Sequence, residues 1–102
     1  MRTIHKTELR ITEYQTYAVR GSNPKMLAVQ LQRGSPCIWY EVDIEEARLA
    51  IRDDTPDTSR ITVAMVGTDH ENISHIAQMA YMGTIQLQGG ELVLHVYVRA
   101  HG

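Results

Sequence analysis

The residues of this chain whose types could do chemistry are few. They are five histidines, one cysteine, eight arginines and a short polar loop, Gly67-Thr68-Asp69-His70. Backbone N–H groups in such a loop, following a strand, can hold an anion, with Thr68 and His70 adding side-chain donors. The same four residues also read as a plain turn whose Thr and Asp cap local backbone groups. His95 stands in an alternating run that faces Thr84 across a hairpin. It can serve as a base or ligand contact, or be a sheet histidine bonded to the hydroxyl opposite. Trp39 shares a strand face with Cys37 and Glu41, where it can stack on a base or a partner's side chain, or pack on its own sheet. Arg20 and Arg33, with Lys25, lie near turns, and the guanidinium fork suits phosphate. These make a candidate ligand-binding set: Trp39, Gly67, Thr68, Asp69, His70, Thr84, His95, Arg20 and Arg33.

No catalytic set emerges beside it. Cys37, directly after Pro36, reads as a small buried hydrophobe rather than a nucleophile. Asp53-Asp54 sit in a loop with no pocket implied. His5, His70, His75, His95 and His101 show no ligand spacing on one element, and one cysteine cannot build a thiolate-rich zinc site, so no metal is expected. No glycine-rich dinucleotide or Walker pattern is present, so no cofactor is expected.

The elements that must position these residues are mostly strands. The clearest is the closing hairpin, 81–98, in which alternating runs flank Gly89-Gly90, a pair that supplies the positive φ of a two-residue turn. That turn sets Leu87 opposite Leu92, Ile85 opposite Leu94, Thr84 opposite His95 and Gly83 opposite Val96. One face is then apolar, and the other carries Thr84, Gln86, Val93, His95 and Tyr97. Strands are also expected over 2–11, 14–20, 26–32, 37–42 and 60–66, with turns at Gly21-Ser22-Asn23-Pro24 and Arg33-Gly34-Ser35-Pro36. Asp43 with Glu46 has the capping-box spacing for a short helix over 44–52, and Asn72 is placed to cap a helical turn through Ile73, Ile76, Ala77 and Ala80. The segment Ala28-Val29-Gln30-Leu31-Gln32-Arg33-Gly34 echoes Thr84-Ile85-Gln86-Leu87-Gln88-Gly89-Gly90, as two copies of one hairpin would. The expected fold is mainly β (α+β). It is an antiparallel sheet of about six to seven strands, a sandwich or half-barrel, with one or two short helices.

Length fits a single domain, 1–102, with one modest core. There is no Phe among the residues, so that core must rest on Ile, Val, Leu and Met. The net charge of −2 argues against non-specific nucleic-acid binding. Charge is uneven: basic groups prevail over 1–40 and acidic ones over 41–57. A lone cysteine precludes an intrachain disulfide and suits a reducing cytoplasm. No signal peptide is visible at Met1-Arg2-Thr3-Ile4-His5-Lys6, and no apolar run is long enough for a membrane helix.

Four blocks occur in one order: Leu27-Ala28-Val29-Gln30-Leu31-Gln32 with Gly34-Ser35-Pro36-Cys37-Ile38-Trp39, then Gly67-Thr68-Asp69-His70, then Tyr81-Met82-Gly83-Thr84-Ile85-Gln86-Leu87, then Gly90-Glu91-Leu92-Val93-Leu94-His95-Val96-Tyr97. In this the chain resembles a family of small uncharacterised proteins of tailed phages and prophages. The likeness spans most of the chain except 44–60, which reads as an insertion. Asp69 stands where the family carries a glycine, and Leu94 where it carries an aromatic residue. The resemblance implies origin, in the cytoplasm of an infected or lysogenic bacterium, and carries no activity with it. The leading expectation is a non-enzymatic binding protein, a host-defence inhibitor that captures a host protein or a small signalling nucleotide. The alternatives are a small hydrolase or phosphodiesterase using His70 and His95, and a structural or oligomeric phage accessory protein. A homo-oligomer is expected, because exposed strand edges in a small domain invite pairing between copies.

Overall fold

A computed structural model describes residues 1–44 and 58–101. The helix expected over 44–52 lies outside the described residues, apart from Ile44 at its start, as does Asp53-Asp54. Among the described residues there are seven strands: β1 Arg2–Glu8, β2 Tyr14–Arg20, β3 Ser22–Gln32, β4 Ser35–Asp43, β5 Thr58–Gly67, β6 Ala80–Leu87 and β7 Leu92–His101. They form two sheets, β1-β4-β3 and β2-β5-β7-β6, in which every pair is antiparallel. The expected antiparallel β architecture is observed, as two layers.

The strand periodicity explains why the layers meet. Ile38, Tyr40 and Val42 of β4 alternate with Cys37, Trp39 and Glu41, and the first set joins the main core. Ile61, Val63 and Met65 of β5 and Leu94, Val96 and Val98 of β7 face them from the other sheet. Burying such branched side chains contributes about 1.5–3 kcal/mol each. As the composition requires, the core is aliphatic, with Tyr40 its one fully buried aromatic residue. Val66 and Ala64 on the opposite face of β5 form a second, smaller cluster with Ile76, flanked by Met79 and Tyr97.

One residue links β2 to β3, and there the chain crosses from one sheet to the other. Gly21 has φ +107° and is buried; a Cβ on it would lie 2.6 Å from Val42 Cβ and 2.9 Å from the Asp43 carbonyl oxygen. Only glycine combines that φ with that approach. The Ser59 hydroxyl, itself buried, donates to the Gly21 carbonyl at 2.8 Å and ties the crossing to β5. A second tie holds the β1–β2 connection. Buried Gln15 donates to the Arg10 carbonyl (2.7 Å) and accepts from the Arg10 N–H (3.0 Å), acting as a strand partner for a residue that has none.

One expectation about helices needs correction. Among the described residues, helical geometry is confined to three-residue 3₁₀ turns at Ser74–Ile76 and Gln88–Gly90. Asn72 does not cap a longer turn: it lies at φ 60°, and its side-chain oxygen accepts from the Ser74 hydroxyl at 3.1 Å. Ala80 already belongs to β6. The reason is packing. A single turn suffices to lay Ile76 and Met79 over Ala64, Val66 and Tyr97, which is all the apolar surface that face offers.

Candidate functional site

The outer face of the four-stranded sheet carries a chain of hydroxyls built around His95. Leu94 and Val96 are buried in the core, so alternation along β7 turns His95 outward, opposite Thr84 on β6. The Thr84 hydroxyl lies 2.9 Å from Nδ1 of His95. On the other side, Thr68, from the turn after β5, sets its hydroxyl 2.8 Å from Nε2. The Tyr81 hydroxyl extends the chain, 2.5 Å from Thr84 Oγ1. The Tyr81 ring tilts against that of Tyr97, with centroids 5.4 Å apart.

A bulge makes this possible. The ladder runs Tyr81↔Tyr97 and then Gly83↔Val96, so Met82 is an extra residue on β6. Strict alternation would put Tyr81 on the core side with Gly83 and Ile85. The bulge turns it outward, beside Thr84. Gly83 permits it: its φ is +154°, and a Cβ there would press to 3.3 Å from the Val29 side chain of the facing sheet.

The chemistry of the cluster follows from the imidazole's valence. A neutral ring has one N–H donor and one lone pair. Both nitrogens of His95 meet hydroxyls, so one threonine accepts from the ring and the other donates to it. The chain can run from Tyr81 through Thr84 and His95 to Thr68, or in reverse. In neither sense is a ring lone pair left over for a substrate proton. What the cluster presents to solvent is hydroxyl and aromatic surface: Thr68, Tyr81 and Thr84 are exposed and His95 is half-buried.

The loop itself is a turn, with the His70 N–H donating to the Gly67 carbonyl at 3.2 Å and Asp69 in the left-handed region at φ 65°. Aspartate tolerates that conformation, so the glycine of the resembling family is replaced here without loss of the turn. His70 does not join His95. It lines a 240 Å³ cavity with Ile11, Thr12, Glu13, Met65, Gly67 and Leu94, on the core-facing side of β5 and β7.

The remaining candidate residues are dispersed. Trp39 is half-buried on the outer face of the other sheet, between Lys6 and Ala28, and so looks away from His95. Arg33 occupies the β3–β4 turn and lines a 340 Å³ cavity with Lys6, Glu8, Gln32, Ser35 and Cys37. Cys37 is a buried free thiol whose Sγ lies 3.7 Å from the Ser35 carbonyl. Arg20 ends β2 opposite Thr58, at the far end of the four-stranded sheet from Thr84. Of the nine residues singled out from the sequence, the structure therefore unites Thr68, Thr84 and His95, with Gly67 as the base of the turn.

The hairpin register puts Tyr97 on this face with Thr84 and His95, but Tyr81 was not singled out. The signal for Tyr81 was present: an isolated glycine inside a strand pattern marks a bulge.

Among the described residues, no group of three or more histidine, cysteine or acidic side chains is placed to hold a metal ion, and no helix is long and apolar enough to cross a membrane. One ion pair with shifted ionisation lies at an end of the three-stranded sheet. There the Asn23 amide and the Arg2 guanidinium hold the Asp43 carboxyl below its ordinary range, and Asp43 in turn raises Arg2.

Comparison with known proteins returns no matching curated protein and no matching solved structure. A family model described as a domain of unknown function, DUF7352, matches residues 1–102. The chain therefore belongs to the DUF7352 family.

Proposed function

We propose that this protein is a non-enzymatic binding module of phage origin that acts in the host cytoplasm by capturing a host protein or a small signalling nucleotide, as an inhibitor of host defence. The observation that carries the reading is the engagement of both His95 nitrogens by Thr68 and Thr84. A histidine so held is a poor general base but a good anchor for a rigid polar surface. Tyr81 and Tyr97 add amphipathic contact area at low entropic cost, as tyrosines do in binding surfaces. The four-block resemblance to phage proteins supports the origin.

The hydrolase reading is less favoured, because His70 and His95 lie on opposite sides of the β5–β7 ladder. Homo-oligomerisation remains part of the proposal: β1 and β3 border one sheet and β2 and β6 the other, which leaves ladder positions for a second copy.

The test is calorimetric titration of the full chain with cyclic dinucleotides, which carry no diphosphate, paired with mass spectrometry of the protein purified from its host. Stoichiometric binding that is lost in Tyr81→Ala and Thr84→Val is expected. The reading fails if no nucleotide gives heat, none is released on denaturation and no host protein co-purifies in stoichiometric amount.

A further inference from the structure

The far end of the same outer sheet face carries a row of cations that the capture reading does not use. Val19, Ile61, Val63 and Val98 are buried, so alternation turns Arg20, Arg60, Arg99 and His101 outward, and all four are exposed. The ladders place Arg60 directly opposite His101 on one side and Ala18 on the other, with Arg99 opposite Thr62 and Arg20 opposite Thr58. Arg20, Arg60 and Arg99 are thus diagonal neighbours across β2, β5 and β7, a relation that puts successive Cβ atoms roughly 7–8 Å apart. The Arg99 Nε–H donates to Nε2 of His101 at 3.2 Å, which draws its guanidinium along the strand toward Arg60.

Like charges gathered on one sheet face repel one another. Among the described residues nothing relieves them. Both ion pairs found there belong to Arg2, and the outward neighbours of the row are Thr16, Ala18, Thr58 and Thr62. Opposite Arg99, the buried Thr62 hydroxyl bonds to that of Thr16 at 3.1 Å.

We propose that this row is a binding site for the diphosphate group of a nucleotide-type small molecule. Two adjacent guanidiniums each take one phosphoryl group through paired N–H donors, a geometry lysine cannot reproduce. The stretch has no apolar anchor for a peptide side chain, and the chain's net charge of −2 disfavours a long polyanion. The site shares no residue with the Thr68–His95–Thr84–Tyr81 cluster and stands even if that cluster binds nothing.

The test is titration of the full chain with sodium pyrophosphate and with ADP, followed by calorimetry and by backbone NMR shifts. Saturable binding is expected, with shifts centred on Arg60 and Arg99. Arg60→Ala and Arg99→Ala should each weaken it about tenfold, the loss of one charge-assisted contact. Arg60→Lys should recover only part of that loss. Arg33→Ala, which removes a cation from the other sheet, should leave it unchanged. Absence of saturable binding overturns the proposal, as does an equal loss in Arg33→Ala and Arg60→Ala, or equal affinity for a short oligoglutamate peptide. Failure of the hydroxyl cluster would appear instead as wild-type pyrophosphate binding with no capture of any host ligand.

Discussion

The hairpins β3–β4 and β6–β7 are built to one plan and face each other across the core, yet only one carries the hydroxyl cluster. Their registers match position by position: Ala28↔Trp39 corresponds to Thr84↔His95, Val29↔Ile38 to Ile85↔Leu94, and Leu31↔Pro36 to Leu87↔Leu92. Each has an extra residue on its first strand, Leu27 in one and Met82 in the other, and β3 has a second register shift between Ser22 and Lys25. Each turns through left-handed backbone, at Arg33-Gly34 and at Gly89-Gly90. The two pack together where Val29 meets Gly83. The inward pairs are aliphatic in both, because both bury the same kind of face. The outward pairs diverge: Ala28 and Trp39 in one, Thr84 and His95 in the other. The comparison teaches that the shared backbone specifies a layer, and that any specific chemistry lies in the outward positions and in what adjoins them. For β6–β7 the adjoining parts are the 67–70 turn and the bulged Tyr81. For β3–β4 they are the Lys6 side of β1.

The largest expected effect lies at the entry to the first hairpin. Gly21→Ala forces a Cβ into Val42 and the Asp43 carbonyl, which are main-chain and core atoms of β4 with no room to yield. A loss of about 3 kcal/mol or more is expected, from strain at a positive φ combined with overpacking. Urea unfolding measures it, and a loss below about 1 kcal/mol would show that the sheet crossing is not rigid.

Equivalent truncations on the shared plan come next. Ile38→Ala and Leu94→Ala remove inward residues at matching positions, and each should lose about 2–5 kcal/mol by cavity formation. Ile38, fully buried in the central strand of its sheet, should cost the more, since Leu94 retains 8% exposure. If Leu94→Ala is clearly the worse, the layers do not share the core evenly.

Gly83→Ala should cost about 1–2 kcal/mol, because the new Cβ strains a positive φ and crowds Val29. Its more telling effect is local. Once the bulge is disturbed, Tyr81 should leave Thr84, and the NMR signals of Tyr81 and His95 should move together. Unchanged His95 signals would uncouple the bulge from the cluster.

Much of this plan was legible in the sequence. Alternation set the two faces of β4 and of the closing hairpin, because a half-buried strand repeats every second residue. The Thr84–His95 pairing followed from the Gly-Gly turn alone. The echo between the two hairpins was visible as a Gln-Leu-Gln repeat, and its shared register is what the ladders display. Strict alternation along β3 groups Leu27 with Val29 and Leu31, but the bulge displaces Leu27, and it is 40% exposed. A bulge changes the count by one residue and leaves little compositional trace. Tyr81 was missed for the same reason. The scatter of Trp39, Arg33 and Arg20 could not be foreseen either, since strand patterns assign residues to faces of one sheet and are silent on which sheets face each other. That Arg60, Arg99 and His101 join Arg20 depends on the order β2-β5-β7, which no local signal encodes.

The smallest expected effect concerns a polar edge that the first hairpin has on β4. Asp43 accepts from the Asn23 amide at 3.1 Å and pairs with Arg2 Nη1 at 3.2 Å, while Arg2 Nε reaches Glu41 at 3.2 Å. The Asn23 hydrogen bond and then the Arg2 contact hold the Asp43 carboxyl below its ordinary value of 3.8, so its ionised form is favoured by the fold. The sign follows. The contribution is fully present above the unfolded-state value and is lost as pH falls through the lower folded-state value. Wild type should therefore exceed Asp43→Asn in urea midpoint at neutral pH, with the gap closing in the acid range below that ordinary value. The group is exposed, so the gap should be small and should shrink in high salt. A gap that persists unchanged into strong acid would assign the effect to the Asn23 hydrogen bond alone, since an amide keeps its place there whether or not a carboxylate is charged.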